Sequence, residues 1–183
     1  MIAVHSREAA FSEVECDQIV ALARASESSD ARLVGQQRDH NLRRADLVWV
    51  DELPGTAWIM DRIIEVVRDA NRGLFQFDLS DFAESPQIAR YGAEREGHFD
   101  WHADIGDGVV AARRKLTMVV QLSSEKGYEG GALEIMPSAN VVSAGRVRGT
   151  ATLFPAFQLH RVTPVTKGER HSLTVWAHGP GFR

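Results

Sequence analysis

The stretch from residue 97 to residue 106, GHFDWHADIG, is the most informative part of the chain. It contains the pair His98 and Asp100 and, four residues on, the pair His102 and Asp104. On a strand, residues i and i+2 project from one face roughly 6.6 Å apart, so a histidine and a carboxylate at this spacing can bind one metal ion. By regular alternation both pairs lie on the same side of the strand. The local pattern therefore does not choose between them, and a hydrogen-bonded turn explains either pair as well as a metal site does.

The chain around this stretch changes character along its length. Ser12 and Glu15 have the spacing of a capping box and predict a helix start, and residues 58–70 have apolar side chains at helical spacing, with Gly73 as the expected cap. Residues 47–50 predict a strand. Further strands are predicted near residues 75–78, 86–91, 98–103, 115–122, 132–136, 140–144, 149–154, 159–165 and 171–177. Helices followed by closely spaced strands predict an α+β, mainly β fold and disfavour a parallel βαβ fold.

Length and composition are typical of one globular domain. The 183 residues are 44% hydrophobic and 25% charged, with a net charge of -4 that argues against a general nucleic-acid binder. The start of the chain does not have the pattern of a signal peptide, no apolar run approaches the length of about 20 residues that crosses a membrane, and Cys16 is the only cysteine. We expect one domain over residues 1–183 in the cytoplasm, with no nucleic-acid or membrane partner. Residues 1–80 are expected to support a core over residues 81–183.

A third metal ligand must come from elsewhere, and His160 is the candidate because it lies in a strand-like run after Pro155. Two histidines and one carboxylate, with three positions left open, suit Fe(II) that activates O2. Arg170 then opens an apolar strand, with Ser172 two positions on and hence on the same face. A guanidinium there can hold a dicarboxylate through a bidentate pair, and Ser172 can donate one more hydrogen bond. Trp176 faces the same way by the same counting and is expected to wall the metal pocket, and packing in the core explains it nearly as well.

Taken together, these motifs resemble the prolyl-4-hydroxylase-like branch of the Fe(II)/2-oxoglutarate dioxygenases. The resemblance runs from about Gln87 to the C-terminus and takes in several separated motifs in the family's order. They are His102-Ala103-Asp104, the distal His160, Arg170, Trp176, Tyr91 before the first ligand, Arg114-Lys115-Leu116-Thr117, and Tyr128-Glu129-Gly130-Gly131-Ala132-Leu133.

The resemblance implies a fold and a set of site residues. The fold is a double-stranded β-helix, or jelly roll, that forms the catalytic core over residues 81–183, with the N-terminal helices packed on its major sheet. Fe(II) is held by residues matching His102, Asp104 and His160, and 2-oxoglutarate chelates the iron while Arg170 holds its far carboxylate. With Ser172 and Trp176, the implied cofactor-binding set comprises Tyr91, Thr117, Gln121 and Leu133.

The implied reaction is hydroxylation of a peptidyl residue such as proline, or of a free amino acid, with release of succinate and CO2. O2 is the second co-substrate, and ascorbate is an optional addition. Asp104 argues against the related halogenases, in which a small residue replaces the carboxylate ligand. Many prolyl hydroxylases carry Tyr where this chain has Gln121, and the collagen-type enzymes carry Lys where it has Arg170, so collagen-like substrates are not inferred.

Two other functions remain open from the sequence. The first is a non-catalytic sensor or interaction module that binds a metal or 2-oxoglutarate on the same fold. The second is a cupin-like metalloenzyme that works without O2 and has no use for Arg170. Residues 29–44 and 105–113 are predicted to form the loops that set specificity. The sequence makes no prediction about the oligomeric state.

Overall fold

A computed structural model describes residues 4–26, 29–30 and 41–182. Most of the first predicted specificity loop, residues 31–40, lies outside the described residues. Two α-helices are described, α1 (Glu13–Ala25) and α2 (Ala57–Ala70). The strands in this part of the chain are β1 (His5–Arg7), β2 (Ser29–Asp30), β3 (Arg43–Arg44), β4 (Asp46–Trp49), β5 (Gln87–Gly92), β6 (His98–His102), β7 (Arg114–Gln121), β8 (Tyr128–Gly130), β9 (Leu133–Met136), β10 (Val142–Ser143), β11 (Ala151–Pro155), β12 (Leu159–Val162) and β13 (Val165–His178).

The strands form two antiparallel sheets. Among the described residues, the larger sheet has the order β1-β11-β7-β13-β5-β4-β2, with β8 paired to one end of β13. The smaller sheet has the order β10-β9-β12-β6-β3. The prediction of a mainly β fold with N-terminal helices is confirmed at this level.

Both helices begin and pack as their sequences predict. The Ser12 hydroxyl accepts a hydrogen bond from Glu15 N, and the Glu15 carboxylate accepts one from Ser12 N, so the predicted capping box is present. The apolar faces of the two helices, which include Ile19 and Ile63, form one hydrophobic core with one face of the larger sheet. A second core lies between the two sheets, where Phe154 and Ile135 are fully buried.

Strand β7 connects the two cores because its side chains alternate between them. All eight of its residues are buried. Leu116, Met118 and Val120 belong to the core shared with the helices, and Val119 belongs to the core between the sheets. The alternating set on the inner face is therefore Thr117, Val119 and Gln121.

The strand predicted near residues 75–78 is wrong. Residues Asn71–Phe75 continue α2 as a π-helical turn, which ends at Gln76 in the left-handed region at φ 53°. The Asn71 side chain both donates to Phe77 O and accepts from Phe77 N, at 2.9 Å in each case. These two hydrogen bonds occupy the backbone groups of Phe77 that a strand would use. The helix cap is Gln76, three residues beyond the predicted cap at Gly73.

In the described part of the chain, neither helix has the length and apolar character needed to span a membrane.

Candidate metal centre

Three potential metal ligands meet at one end of the space between the sheets. His102 ends β6 and pairs directly with His160 on the neighbouring strand β12, while Asp104 follows β6 by two residues. His102 Nε2 lies 3.6 Å from Asp104 Oδ1, and His160 Nε2 lies 3.4 Å from Asp104 Oδ2. One ligand atom from each residue lies within 4.8 Å of the other two, a spacing at which a single ion can contact all three.

Hydrogen bonds to the backbone orient both imidazoles. His102 Nδ1 lies 2.7 Å from Asp100 O, and His160 Nδ1 lies 3.0 Å from Gln158 O. A carbonyl is only an acceptor, so each Nδ1 carries the proton and each Nε2 presents its lone pair toward Asp104.

The carboxylate is held from the larger sheet. Thr117 Oγ1 donates to Asp104 Oδ2 at 2.7 Å, and Arg114 Nη1 donates to the backbone oxygen of Asp104 at 2.9 Å. Arg114 itself is paired with Glu84, and its guanidinium lies 4.0 Å from the ring centroid of Trp176. The metal group is therefore tied to β7 as well as to the smaller sheet.

Two of the three ionisable ligands, Asp104 and His160, favour the protonation states that a metal ion needs. Burial opposes ionisation of Asp104, but the neighbouring imidazoles and the Thr117 hydroxyl outweigh burial and hold the pKa of this carboxyl below its usual range. Burial lowers the pKa of His160 despite the opposing effect of Asp104. An anionic carboxylate and a neutral imidazole result at neutral pH.

The other histidine and aspartate pair of β6 does not reach this centre. The pairing of β6 with β12 shifts register between His102 and Phe99, so the regular alternation expected from sequence is wrong here. Phe99 stacks on the His102 ring with centroids 3.5 Å apart. Both ring nitrogens of His98 contact backbone oxygens, and Asp100 is exposed and accepts from Trp101 N.

A buried guanidinium lies on the larger sheet across from the metal group. Arg170, on β13, is 2% exposed, and its Nε donates to Gln121 Oε1 at 3.0 Å. Arg170 Nη1 is buried and has no hydrogen-bond partner among the described residues. A buried donor without a partner is costly, so this atom is suited to an anion that enters from outside.

The remaining predicted site residues divide between two adjoining cavities and one position behind the metal group. Tyr91, Ser172 and Trp176 line the metal pocket, Gln121 lines the cavity beside Arg170, and Leu133 lines both. Thr117 lies behind Asp104 as described above. Lining residues that sequence reasoning left unassigned include Arg43, Gln87 and Phe99 in the metal pocket and Tyr128, Arg146, Thr150 and Thr152 in the cavity beside Arg170.

Little in the sequence would have identified most of these residues. Tyr128 stands two residues before the Gly130-Gly131 pair, which is a usable signal. Arg43 gives none, because an arginine beside a short strand is usually solvated. In the structure it is 9% exposed, its guanidinium lies 4.5 Å from the Phe99 ring centroid, and its Nε has no partner among the described residues.

Comparisons with known proteins agree with this geometry. Residues 86–178, just over half of the chain, match the 2OG-Fe(II) oxygenase superfamily, where 2OG is 2-oxoglutarate. The chain belongs to this superfamily. The predicted membership of the Fe(II)/2-oxoglutarate dioxygenases is confirmed at the level of this superfamily.

Among curated proteins, a PKHD-type hydroxylase of Hyphomonas neptunium is 38% identical over 72 residues, which are 39% of this chain and 32% of that protein. A PKHD-type hydroxylase of Shewanella oneidensis is 39% identical over 83 residues, covering 43% of this chain and 36% of that protein. The matched part of the chain thus spans about a third of the length of these relatives.

Two solved structures share the fold over nearly the whole chain. A Pseudomonas putida prolyl-4-hydroxylase has a TM-score of 0.77 at 23% identity and covers 98% of this chain and 94% of its own. A Trichoplax adhaerens prolyl hydroxylase, in complex with a hypoxia inducible factor peptide fragment, has a TM-score of 0.80 at 17% identity and covers 96% and 83%.

This superfamily implies Fe(II) as the cofactor and 2-oxoglutarate and O2 as co-substrates. The residues present fit Fe(II) and 2-oxoglutarate. The donor set of two imidazoles and one carboxylate suits Fe(II) and leaves coordination positions open. The free Nη1 of Arg170 suits a carboxylate.

Proposed function

We propose that this protein is an Fe(II)- and 2-oxoglutarate-dependent hydroxylase that acts on a peptidyl residue, proline or similar, or on a free amino acid. One observation carries the proposal: His102, Asp104 and His160 converge on one point, and the adjoining cavity holds Arg170, whose buried Nη1 has no partner among the described residues. The metal site alone fits several reactions, whereas a metal site with a carboxylate anchor fits a dicarboxylate co-substrate.

Each part of the site has a definite task in this proposal. His102, Asp104 and His160 hold the iron, and the bound iron supplies O2 activation coupled to decarboxylation of 2-oxoglutarate, giving succinate, CO2 and a hydroxylated substrate. Arg170 holds the distal carboxylate of 2-oxoglutarate on the larger sheet. Ser172 and Tyr91, which line the metal pocket, are assigned to flank the body of the co-substrate.

The finer architecture belongs to the same proposal. The two antiparallel sheets enclose the site between them, which supports a double-stranded β-helix as the arrangement of residues 81–183. The helices of residues 1–80 bury the outer face of the larger sheet and act as the supporting part of a single domain.

Two hydrogen-bond donors in the metal pocket have no described partner, which favours a primary substrate that carries acceptor oxygens. Trp176 Nε1 is buried without a partner among the described residues, as is Arg43 Nε, and both residues line the pocket. A peptide backbone carbonyl or the carboxylate of an amino acid can accept from either group. The similar Trichoplax adhaerens protein was solved with a peptide, which favours the peptide.

The proposal is tested by anaerobic titration of the purified protein with Fe(II) and then 2-oxoglutarate, following the weak visible charge-transfer absorption of the chelate. We expect absorption in the wild type, none in His102→Ala, and a much higher 2-oxoglutarate requirement in Arg170→Ala. Folded wild-type protein that gives no absorption would refute the proposal.

Turnover is then measured as succinate release in the presence of O2, with proline-containing peptides and free amino acids compared at equal concentration. Substrate-stimulated succinate release supports a hydroxylase. A wild-type protein that binds 2-oxoglutarate but releases no succinate beyond a metal-free control would instead be a binding module.

A further inference from the structure

The cavity beside Arg170 has a lining suited to an anion. It is lined by two arginines, Arg146 and Arg170, and by the hydroxyl groups of Tyr128, Thr150 and Thr152, with no acidic side chain among its described lining residues. Two buried donors in this lining, Arg170 Nη1 and Thr150 Oγ1, have no described partner. Val119 and Leu133 line this cavity and the metal pocket alike, so the two spaces adjoin.

Gln121 already uses its side-chain amide within the protein. Its Oε1 accepts from Arg170 Nε at 3.0 Å, and its Nε2 donates to Ser123 O at 2.9 Å and to the Tyr128 hydroxyl oxygen at 3.0 Å. Both amide protons are therefore engaged. Gln121 orients Arg170 and Tyr128 and has no proton left to donate to a ligand.

The hydroxyl proton of Tyr128 is the donor that this arrangement leaves free. The phenol oxygen accepts from Gln121, so the phenol proton is available for a different acceptor. None of the described residues supplies that acceptor. Tyr128 is 4% exposed, so its hydroxyl is shielded from bulk solvent and lies in the lining of this cavity. A carboxylate on Arg170 would supply the acceptor.

The Tyr128 ring is held rigidly next to Arg170. The Arg146 guanidinium lies 4.4 Å from the ring centroid, and Arg146 donates to the backbone oxygens of Gly130 and Tyr128. Gly131, at φ +58°, separates the two side chains, since a Cβ at this position would lie 3.2 Å from Arg170 Cδ and 3.2 Å from Tyr128 Cε2. The two groups thus flank one glycine and face one cavity.

We propose that the Tyr128 hydroxyl, together with Arg170, binds the distal carboxylate of 2-oxoglutarate, and that Gln121 is a positioning residue for both. The assignment rests on the proposed function and extends it to a residue on β8, the short strand before the glycine pair. It also reassigns Gln121, which was expected to contact the co-substrate, to a role behind the contact.

The test compares 2-oxoglutarate with 2-oxopentanoate, which has the same chain length but a methyl group in place of the distal carboxylate. Dissociation constants are measured by anaerobic titration of the Fe(II)-loaded protein. Tyr128→Phe removes one hydroxyl and should raise the dissociation constant for 2-oxoglutarate about ten- to a hundredfold, the usual effect of a hydrogen bond to a charged group. The constant for 2-oxopentanoate should stay within about twofold of wild type, since no carboxylate contact is lost.

Thr56→Val is the control because it removes one hydroxyl from a buried residue that lines neither the metal pocket nor the cavity beside Arg170. It should leave the ratio of the two dissociation constants unchanged. Equal affinity for 2-oxoglutarate in Tyr128→Phe and wild type, or an equal loss for both ligands, would overturn the assignment of Tyr128. A wild-type protein that binds neither ligand would refute the proposed function itself.

Discussion

Replacing Thr117 with valine tests how the structure holds its carboxylate ligand. Thr117 is fully buried, and its hydroxyl donates to Asp104 Oδ2 at 2.7 Å. The imidazoles of His102 and His160 lie 3.6 Å and 3.4 Å from the same carboxylate, longer than ordinary hydrogen bonds. Without the hydroxyl, the carboxylate loses its shortest contact and with it a fixed orientation toward the metal.

The size of the effect follows from the charge of the acceptor. A hydrogen bond to a charged group contributes about 1.5–3 kcal/mol, and loss of a group that orients a metal ligand lowers metal affinity by about 10- to 100-fold. These ranges agree, since a tenfold change in a dissociation constant is about 1.4 kcal/mol. We therefore expect Thr117→Val to bind metal about 10- to 100-fold more weakly than wild type.

Titration with Co(II), followed by its visible absorption, measures this change without O2 or turnover. Thr117→Ser keeps the hydroxyl and loses only a methyl group, so it should bind Co(II) nearly as tightly as wild type even where its thermal midpoint falls. The reasoning fails if the valine variant binds Co(II) within twofold of wild type. It also fails if the serine variant is as weak as the valine variant, because packing and not the hydroxyl would then be responsible.

Three further substitutions or probes test other features of the structure. Burial opposes ionisation of Glu84, but its bonds to His178 and Arg114 lower its pKa to about 2, so their stabilising contribution of about 2–3 kcal/mol is present above pH about 4.5 and lost as pH falls toward 2. Urea unfolding between pH 3 and 6 should therefore be flatter with pH in Glu84→Gln than in wild type, and parallel curves would contradict this. Gly131→Ala should lower the free energy of unfolding by about 1–3 kcal/mol, because its φ is positive and its Cβ would lie 2.9 Å from Val165, whereas Gly127→Ala, with open space around it, should change little. Burial raises the pKa of Cys16 to about 11, so a thiol reagent at pH 8 should react only as the protein unfolds, and immediate stoichiometric reaction would contradict its placement in the core.

The sequence predicted the parts of the site that depend on local spacing. His102 and Asp104 are two residues apart on and just after one strand, and Arg170 and Ser172 repeat that spacing on another. It did not distinguish His102 from His98, because the choice depends on a register shift in the pairing of two distant strands. Regular alternation along one strand cannot predict such a shift, which arises from pairing with another strand.

Contacts between distant parts of the chain account for most of what the sequence did not predict. Thr117 lies 13 residues from the carboxylate it holds, and Gln121 lies 49 residues from the guanidinium it orients. From the sequence, Thr117 and Gln121 are indistinguishable from other inward-facing strand residues. Their roles become visible only from the residues that they contact in the folded structure. The error near residues 75–78 has a local origin, since the Asn71 side chain closes a turn that β propensity alone does not anticipate.

The structure also gives a physical reason for the N-terminal helices. The proposed site takes residues from both sheets, with His102 and His160 on the smaller sheet, Asp104 just after β6, and Arg170 on the larger sheet. Thr117 of β7 contacts Asp104 and Gln121 of β7 contacts Arg170, so the position of this strand sets the spacing between the proposed metal centre and the proposed carboxylate anchor. The opposite face of β7 is apolar and would be exposed without α1 and α2. By burying it, the helices fix the strand on which both halves of the site depend.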